Sequence, residues 1–436
     1  MTNKIYACLL ILLCHSSIVL ATDSLSSSLD EIPFFETTSA AKQRTKDYED
    51  KITDLKKQIK KCEDESQCLQ LKKRKLDYEY AEKKHIEVNG LSKFSILAGP
   101  GYIPETGMMI AVGSLYSFST DRADQQLQRS SVTLVAIANQ TDEGPGFGIR
   151  SKQNIFFDQN KLRYQGRLLL GEQSQYYWGI GYDAGKEQDA SDEISMNYNT
   201  IDYKGSLTFY LDSFYGLNIG PVLHLKYFEP DQDTLPETAI NDPNFQEFYD
   251  KPYTLGVGVT VQYDSRDVTV NAREGAFFNF EYLKYGTAIG GDSEYQKSLI
   301  DFRYYHAFRK NDTLAFYNAI QWSDGDIPYY DMPTLGGATS MRGIYSGHYR
   351  DKTAVENTVE LRHTFLRNNG DLSVHGAVVW AGVGYVAPAL DNLYENLLYS
   401  YGVGYRYELQ PRMNVRVDLG FGPDESGFYL TFTEAY

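Results

Sequence analysis

The chain has 436 residues, a formal net charge of −16, 42% apolar residues and 14% aromatic residues. Because a nucleic-acid binder needs a basic surface, this acidic balance argues against nucleic acid as a partner. The apolar and aromatic content is too high for a disordered chain. A bundle of transmembrane helices would need several apolar runs of about 20 residues, and only the N-terminus carries a run that approaches this length.

Residues 1–21 have the pattern of a secretory signal peptide. Lys4 precedes a short apolar run, and small residues stand before an expected cleavage site ahead of Thr22. We therefore expect an exported protein. Residues 22–36 are rich in Ser and show no periodicity, which predicts a flexible leader.

Residues 37–88 contain neither Gly nor Pro and carry an apolar stripe with alternating spacings of four and three, which predicts a two-faced helix. The stripe consists of Tyr48, Ile52, Leu55, Ile59 and Cys62, and Leu69, Leu76 and Tyr80 extend it with interruptions.

One continuous helix would hold Cys62 and Cys68 too far apart to bond. A disulfide between them, which an oxidising compartment permits, would require a turn between two helices. We favour this stapled hairpin over two unpaired thiols on a solvated helix, and we assign 37–90 to a periplasmic helical segment.

From residue 91 the pattern changes to period two. Along 255–263, for example, Leu, Val and Tyr alternate with Gly, Thr and Gln, as in strands with one apolar and one polar face. About sixteen such strands can be placed, and tight turns between them alternate with long connections at 173–198, 229–251, 324–351 and 385–396. Short turns at one end and long loops at the other are typical of outer-membrane barrels.

The sequence therefore predicts an all-β fold over 91–436, a closed antiparallel transmembrane β-barrel of about 16 strands in contact with outer-membrane lipid. A periplasmic helical hairpin or helix precedes it. A soluble all-β protein is the alternative, since the apolar face of a strand can also pack on a second sheet.

The C-terminus fits the pattern of a last barrel strand. Gly427, Leu430 and Phe432 follow the order of a glycine and then alternating apolar residues, and Tyr436 is a terminal aromatic residue. Glu434 interrupts the stripe, so the residues around it are expected to lie outside the sheet.

The connection 324–351 carries Gly-Gly-Ala-Thr-Ser-Met-Arg-Gly-Ile-Tyr at 336–345, five strands before the end. Together with the first hairpin and the segment 176–185, this motif resembles the bacterial surface-antigen family of outer-membrane barrels, the BamA and TamA type. The resemblance covers about 91–436. It implies a barrel that inserts or moves proteins, with a nascent outer-membrane or exported protein as its partner. Family insertases carry periplasmic POTRA modules, whereas the segment ahead of residue 91 has no strand pattern, so the resemblance is to a member without them.

The motif residues of the loop are Gly336, Gly337, Arg342, Gly343 and Tyr345. The glycines allow sharp turns close to the barrel wall.

An Arg inside a polar lumen needs an acidic partner, because an unpaired buried charge is costly. Glu356 and Glu360 both fall on the inward phase of the next strand, and we predict that Arg342 pairs with Glu360. The resemblance also implies an acidic residue on the strand after that, but 378–384 contains none. The alternative is an exposed loop Arg without a partner.

The sequence indicates no enzyme, cofactor or metal site, because its seven His are scattered and the acidic run 231–234 lacks the spacing of a calcium loop.

Three functions remain. The first is an insertion or translocation barrel with a plugged lumen and a weak junction between its first and last strands, where Pro100 limits pairing. The second is a passive or gated pore whose selectivity depends on lumen charges, namely Glu281, Asp301, Arg303, Arg416 and Asp418. The third is a structural surface antigen whose segment 37–88 docks a periplasmic partner protein.

Overall fold

The structure is a computed structural model that describes residues 37–124, 126–141, 144–187, 194–212, 216–269, 271–368, 370–392, 395–410 and 413–436. The expected signal peptide, 1–21, and the expected leader, 22–36, lie outside these residues. None of the helices in the described ranges is long and apolar enough to span a bilayer.

Two helices, α1 (Thr38–Lys61) and α2 (Glu65–Val88), form an antiparallel hairpin ahead of the barrel. A disulfide joins Cys62 and Cys68 at its tip. Asp64 caps the start of α2, since its carboxylate accepts the backbone N–H of Gln67 at 2.7 Å. The segment is therefore a stapled hairpin and not one continuous helix.

The two helices pack through one face each. Ile52 and Leu55 of α1 are buried, and the rings of Tyr48 and Tyr78 meet between the helices. The predicted extension of the stripe into α2 is wrong, because its three residues are 62–69% exposed: Leu69, Leu76 and Tyr80. The tip reverses the chain, so that the phase of α1 does not continue into α2.

In the described residues, sixteen strands close into an antiparallel barrel in which the strand order follows the chain. The strands are β1 (Lys93–Ile103), β2 (Gly107–Phe118), β3 (Ser130–Thr141), β4 (Gly144–Phe157), β5 (Leu162–Tyr176), β6 (Ser195–Leu211), β7 (Leu217–Pro230), β8 (Tyr253–Asp264), β9 (Gly275–Tyr285), β10 (Tyr295–Arg309), β11 (Asp312–Gly325), β14 (Thr353–Leu366), β15 (Leu372–Ala387), β16 (Leu398–Gln410), β17 (Met413–Phe421) and β18 (Ser426–Phe432). Between β11 and β14, the short strands β12 (Thr334–Leu335) and β13 (Tyr349–Arg350) form a ribbon of their own. The predicted fold class is confirmed.

The alternation read from the sequence sorts the side chains to the two faces of the wall. On β8, Thr254, Thr260 and Gln262 are buried on the lumen side, whereas Val257 is 47% exposed. Large exposed apolar side chains continue around the outer surface on other strands, for example Val112, Leu134, Val379, Val403 and Leu419. This outer face has the chemistry that acyl chains require.

The barrel closes at a narrow seam, the junction between β1 and β18. All eleven residues of β1 are in register with β2, including Pro100 opposite Ile110. The register of β1 with β18 holds one pair, Tyr102 with Leu430. Pro100 thus lies within β1 and does not end it, because proline is tolerated in a strand whose other edge is mostly unpaired.

Long connections gather at one end of the barrel. Within their described residues lie three short helices, α3 (Tyr182–Glu187), α4 (Glu237–Ile240) and α5 (Pro243–Phe248). The α1–α2 hairpin lies at the other end, where Arg129 of the β2–β3 connection donates to the carbonyls of Ile86 and Leu91.

Candidate functional site

The connection between β11 and β14, residues 326–352, is hereafter called the long loop. Its motif segment is buried against the inner wall, with Met341 and Arg342 both 2% exposed. Gly343 has a φ of +112°, and a Cβ there would overlap the backbone of Gly420 and Phe421. The loop backbone therefore touches the backbone of β17, and only glycine fits at this contact.

The Arg342 guanidinium lies between two carboxylates. One nitrogen donates to Glu360 of β14, and the other donates to Asp418 of β17 at 2.7 Å. Both carboxylates have no exposed surface. The Cζ atom of the guanidinium also lies 3.7 Å from the centre of the Trp380 ring, so a cation–π contact adds to the two ion pairs.

Arg342, Glu360 and Asp418 belong to a larger buried cluster of charged residues, here called the lumen network. Its other members are Arg362, Arg406, Arg416 and Glu434. Arg362 donates to Glu360 at 2.7 Å, and Arg406 links Asp418 to Glu434. Removing one partner from such a cluster leaves another charge buried and uncompensated. The network therefore fixes the long loop to three strands, β14, β16 and β17, and to the residues after β18.

Glu356, the other predicted partner of Arg342, binds a different part of the loop. Its carboxylate accepts the Ser340 hydroxyl at 2.6 Å and the Met341 N–H at 3.0 Å. It forms no ion pair with Arg342 among the described contacts. A carboxylate in this position orients the loop backbone directly ahead of the Arg-Gly pair.

The long loop also contacts both sides of the seam. The Ser346 N–H donates to Glu105 in the β1–β2 turn at 2.5 Å, and a ring nitrogen of His348 lies 2.5 Å from Glu425 in the β17–β18 turn. Between these contacts, the Gly343 N–H donates to the Tyr429 hydroxyl of β18 at 2.9 Å. One loop thus bridges the two edges that the seam itself joins at a single registered pair.

Burial of the Glu105 carboxyl raises its pKa to about 6. One of its oxygens accepts from Ser346, whereas the other is buried without a hydrogen-bond partner. The loop contact at the β1 side of the seam therefore depends on a group that titrates in mildly acidic solution.

The geometry can be compared with known proteins. The family model described as the Omp85 superfamily domain matches residues 138–433. The chain belongs to the Omp85 superfamily. It is an outer-membrane β-barrel of the BamA type, and residues 37–90, which the structure describes ahead of the barrel, contain a helical hairpin and no POTRA module.

Solved structures show the same fold at low sequence identity. BamA from Haemophilus ducreyi lacking POTRA domains 1–3 is 13% identical with a TM-score of 0.52, and the alignment covers 82% of this chain and 78% of that one. CdiB from Escherichia coli is 10% identical with a TM-score of 0.53, over 81% of this chain and 70% of that one. A comparison with curated proteins finds no match.

An aromatic cluster lies at the long-loop end of this Omp85 barrel and comprises Tyr177, Phe228, Phe245, Tyr329 and Tyr330. The Phe245 and Tyr329 rings lie 4.5 Å apart, and Phe228 stacks on Tyr330 at 4.9 Å. The cluster joins residues of the β5–β6 and β7–β8 connections to the long loop, so it packs the three longest described connections together.

The charges predicted to line an open pore are paired in this Omp85 barrel. Glu281 pairs with Lys204, and Asp301 pairs with Arg303 at 2.6 Å. Arg416 and Asp418 are buried in the lumen network. Each of these five groups therefore has an oppositely charged neighbour.

The remaining motif residues of the Omp85 chain lie near the loop or the seam. Tyr345 stacks on Tyr176 at 6.1 Å. Gly427, Leu430 and Phe432 lie in β18, and Leu430 forms the registered pair of the seam. The Tyr436 ring lies beyond the sheet, buried on Tyr317 at 4.9 Å and 5.9 Å from the Arg342 guanidinium.

The sequence interpretation missed Asp418 as a ligand of Arg342. The strand that the resemblance implies as the source of a second acid has none at 378–384, and the second carboxylate comes from β17 instead. The sequence already placed Asp418 on the lumen side, because it alternates with Val417 and Leu419, but its pairing with Arg342 depends on how the barrel closes.

Proposed function

We propose that this barrel inserts or translocates proteins at the outer membrane, with the long loop as a plug that holds the seam in register. The observation that carries the proposal is the contrast at the seam. β1 and β18 share one registered pair, whereas the long loop contacts the hairpins on both sides of it. A junction that depends on a loop can open when the loop moves, without unfolding the wall.

The partner implied by this arrangement is a nascent outer-membrane or exported protein. An edge strand with unpaired N–H and C=O groups is a template for another strand. β1 offers most of such an edge, because its outer side is paired to β18 at Tyr102 alone. An incoming strand would pair there as the seam separates.

A passive or gated pore is less well supported. The aromatic cluster packs the three longest described connections together at the long-loop end, and the predicted selectivity charges have ion-pair partners. Large, steady single-channel currents in a planar bilayer would favour the pore instead.

The helical hairpin supports a second, compatible role as a periplasmic docking arm. It is attached at the tight-turn end of the barrel, which faces the periplasm in such barrels. Its helix α2 presents three apolar side chains to solvent: Leu69, Leu76 and Tyr80. We expect a periplasmic protein to cover this face.

The insertion proposal is tested by folding a model porin into liposomes that contain this protein. Faster appearance of the folded porin than in empty liposomes supports it. An unchanged rate counts against it, and the same preparations examined for conductance test the pore.

A further inference from the structure

A cavity of about 470 Å³ lies in the lumen, between the inner wall and the underside of the long loop. Its volume falls in the range of small-molecule sites. Six cationic side chains line it, namely Arg150, Arg167, Lys204, Lys226, Lys297 and Arg350. Four carboxylates line it as well, namely Glu105, Asp202, Glu281 and Asp331. The cavity therefore carries two positive charges in excess when all ten groups are ionised.

Arg350 of the long loop accounts for one of them. Its side chain is only 4% exposed, and its Nε is buried without a hydrogen-bond partner. The described contacts of the guanidinium are a bond from Nη1 to the Tyr329 carbonyl at 3.2 Å and the face of Tyr177 at 5.4 Å. The Asp242 carboxylate attracts it electrostatically without reaching ion-pair distance, and no other carboxylate of the described residues forms an ion pair with it. An unpaired buried guanidinium is costly, and its unused donors match an oxyanion.

The barrel wall on strands β4, β5 and β6 provides a second, independent observation of unbalanced positive charge. Lys152 of β4 is directly opposite Arg167 of β5, and Arg167 is directly opposite Lys204 of β6. Like charges in directly opposed positions destabilise a sheet. Asp202 and Glu281 compensate Arg167 and Lys204, whereas Lys152 has no carboxylate partner in the described ion pairs.

Arg150 extends this positive surface. It lies two residues before Lys152 on the same face of β4, lines the cavity, and forms no ion pair with a described carboxylate. Arg150 and Arg350 are therefore the two cavity cations that form no ion pair with a described carboxylate.

We propose that this cavity binds a phosphate-bearing small molecule, with its phosphate group held by Arg350 and Arg150. A phosphate monoester is a dianion and matches the two excess charges. The Arg fork suits its oxygens. The organic remainder of the molecule contacts the apolar part of the lining, which includes Leu169, Leu283 and Met332. The phosphate can belong to a soluble molecule or to a lipid headgroup.

Titration calorimetry on the purified full chain in zwitterionic detergent tests the proposal. Inorganic phosphate and glycerol 3-phosphate are the probes, at constant ionic strength in chloride. We expect saturable binding of glycerol 3-phosphate to one site, and roughly tenfold weaker binding in Arg350→Gln. The matched control is Arg303→Gln, because Arg303 also lies in the lumen but pairs with Asp301 outside the cavity. It should bind as the wild type does.

Equal binding by the wild type and Arg350→Gln, or no saturable binding by the wild type, overturns the proposal. If Arg350→Gln fails to fold, Arg150→Gln carries the same expectation, since Arg150 is exposed to the lumen and its loss breaks no described contact. Vesicles of phosphatidic acid, with phosphatidylcholine as the control, identify the source. Competition with glycerol 3-phosphate assigns the phosphate to a lipid headgroup, and its absence assigns it to a soluble molecule.

Discussion

The Arg342 guanidinium donates to the Asp418 carboxylate at 2.7 Å, although the two residues are 76 positions apart. Asp418 lies on β17, the neighbour of the seam strand β18. The same guanidinium binds Glu360 on β14, the strand that directly follows the long loop. One side chain of the long loop therefore connects β14, the strand that follows the loop, to β17, the strand beside the seam.

Loss of the Asp418 charge should destabilise the folded barrel strongly. Asp418→Asn leaves Arg342 and Arg406 buried with one fewer anion, so we expect a loss of about 3–5 kcal/mol in the free energy of unfolding. Urea unfolding followed by the gel shift between boiled and unboiled samples measures it. The control is Glu247→Gln, because Glu247 pairs with Lys251 at the exposed surface and should cost less than about 1 kcal/mol. Equal effects of the two substitutions would argue against the network.

The glycine at the tip of the motif should be irreplaceable. In Gly343→Ala the added Cβ would overlap the backbone of Gly420 and Phe421, so the loop must leave the wall. Wild-type Arg342 is buried and should resist trypsin, whereas the variant should be cleaved after Arg342 under conditions that leave the strands intact. Gly113→Ala is the control, since a Cβ there meets Val135 at an ordinary 3.4 Å. Unchanged resistance in Gly343→Ala would refute the close contact.

The stability of the folded barrel should depend on the protonation of Glu105. Its pKa is about 6 in the folded state against an ordinary 4.5, so the folded state holds this proton more tightly than the unfolded state. The contribution of this group to the free energy of unfolding therefore has its full value below pH 4.5, and it decreases as the pH rises toward and through 6. The shift corresponds to about 2 kcal/mol. In Glu105→Gln this part of the pH dependence should disappear, and an unaltered profile of unfolding free energy against pH would show that Glu105 does not titrate there.

The exposed face of α2 should serve binding and not folding. Replacement of Leu69, Leu76 and Tyr80 by Ser should leave the helicity unchanged, because surface substitutions seldom alter stability by more than about 0.5 kcal/mol. Ile52→Ser, on the buried face of α1, should unwind the hairpin. Crosslinking in intact envelopes should lose a periplasmic product in the triple variant. Retention of every product at wild-type yield would end the docking proposal.

The barrel could be predicted from sequence because its determinants are local. Period-two alternation sets the face of each residue, and the contrast between tight turns and long connections sets the two ends. The end of β1 could not be predicted, because Pro100 is compatible with a strand only when one edge lacks a partner, and that depends on how the barrel closes. The α2 face was misjudged because the turn at Cys62–Cys68 resets the helical phase.

Some contacts of the long loop could be predicted from the sequence, and others could not. Glu360 was assigned to Arg342 from the inward phase of the next strand, and the two lie in contact. Asp418, Glu105 and Glu425 contact the long loop only because closure brings distant strands together. Pairwise register across a closed sheet is not encoded in any short segment, so these contacts required the structure.

If the barrel acts by opening its seam, a reversible covalent lock across the seam should stop it. Tyr102→Cys with Leu430→Cys places two thiols at the registered pair of the seam. Val112→Cys with Ala136→Cys places a matched lock between β2 and β3. The measurement is the rate at which a model porin folds into liposomes containing each protein. We predict that the wild type and the β2–β3 lock accelerate folding, and that the oxidised seam lock gives the rate of empty liposomes until it is reduced. Equal acceleration by the oxidised seam lock, or none by the wild type, would contradict the account.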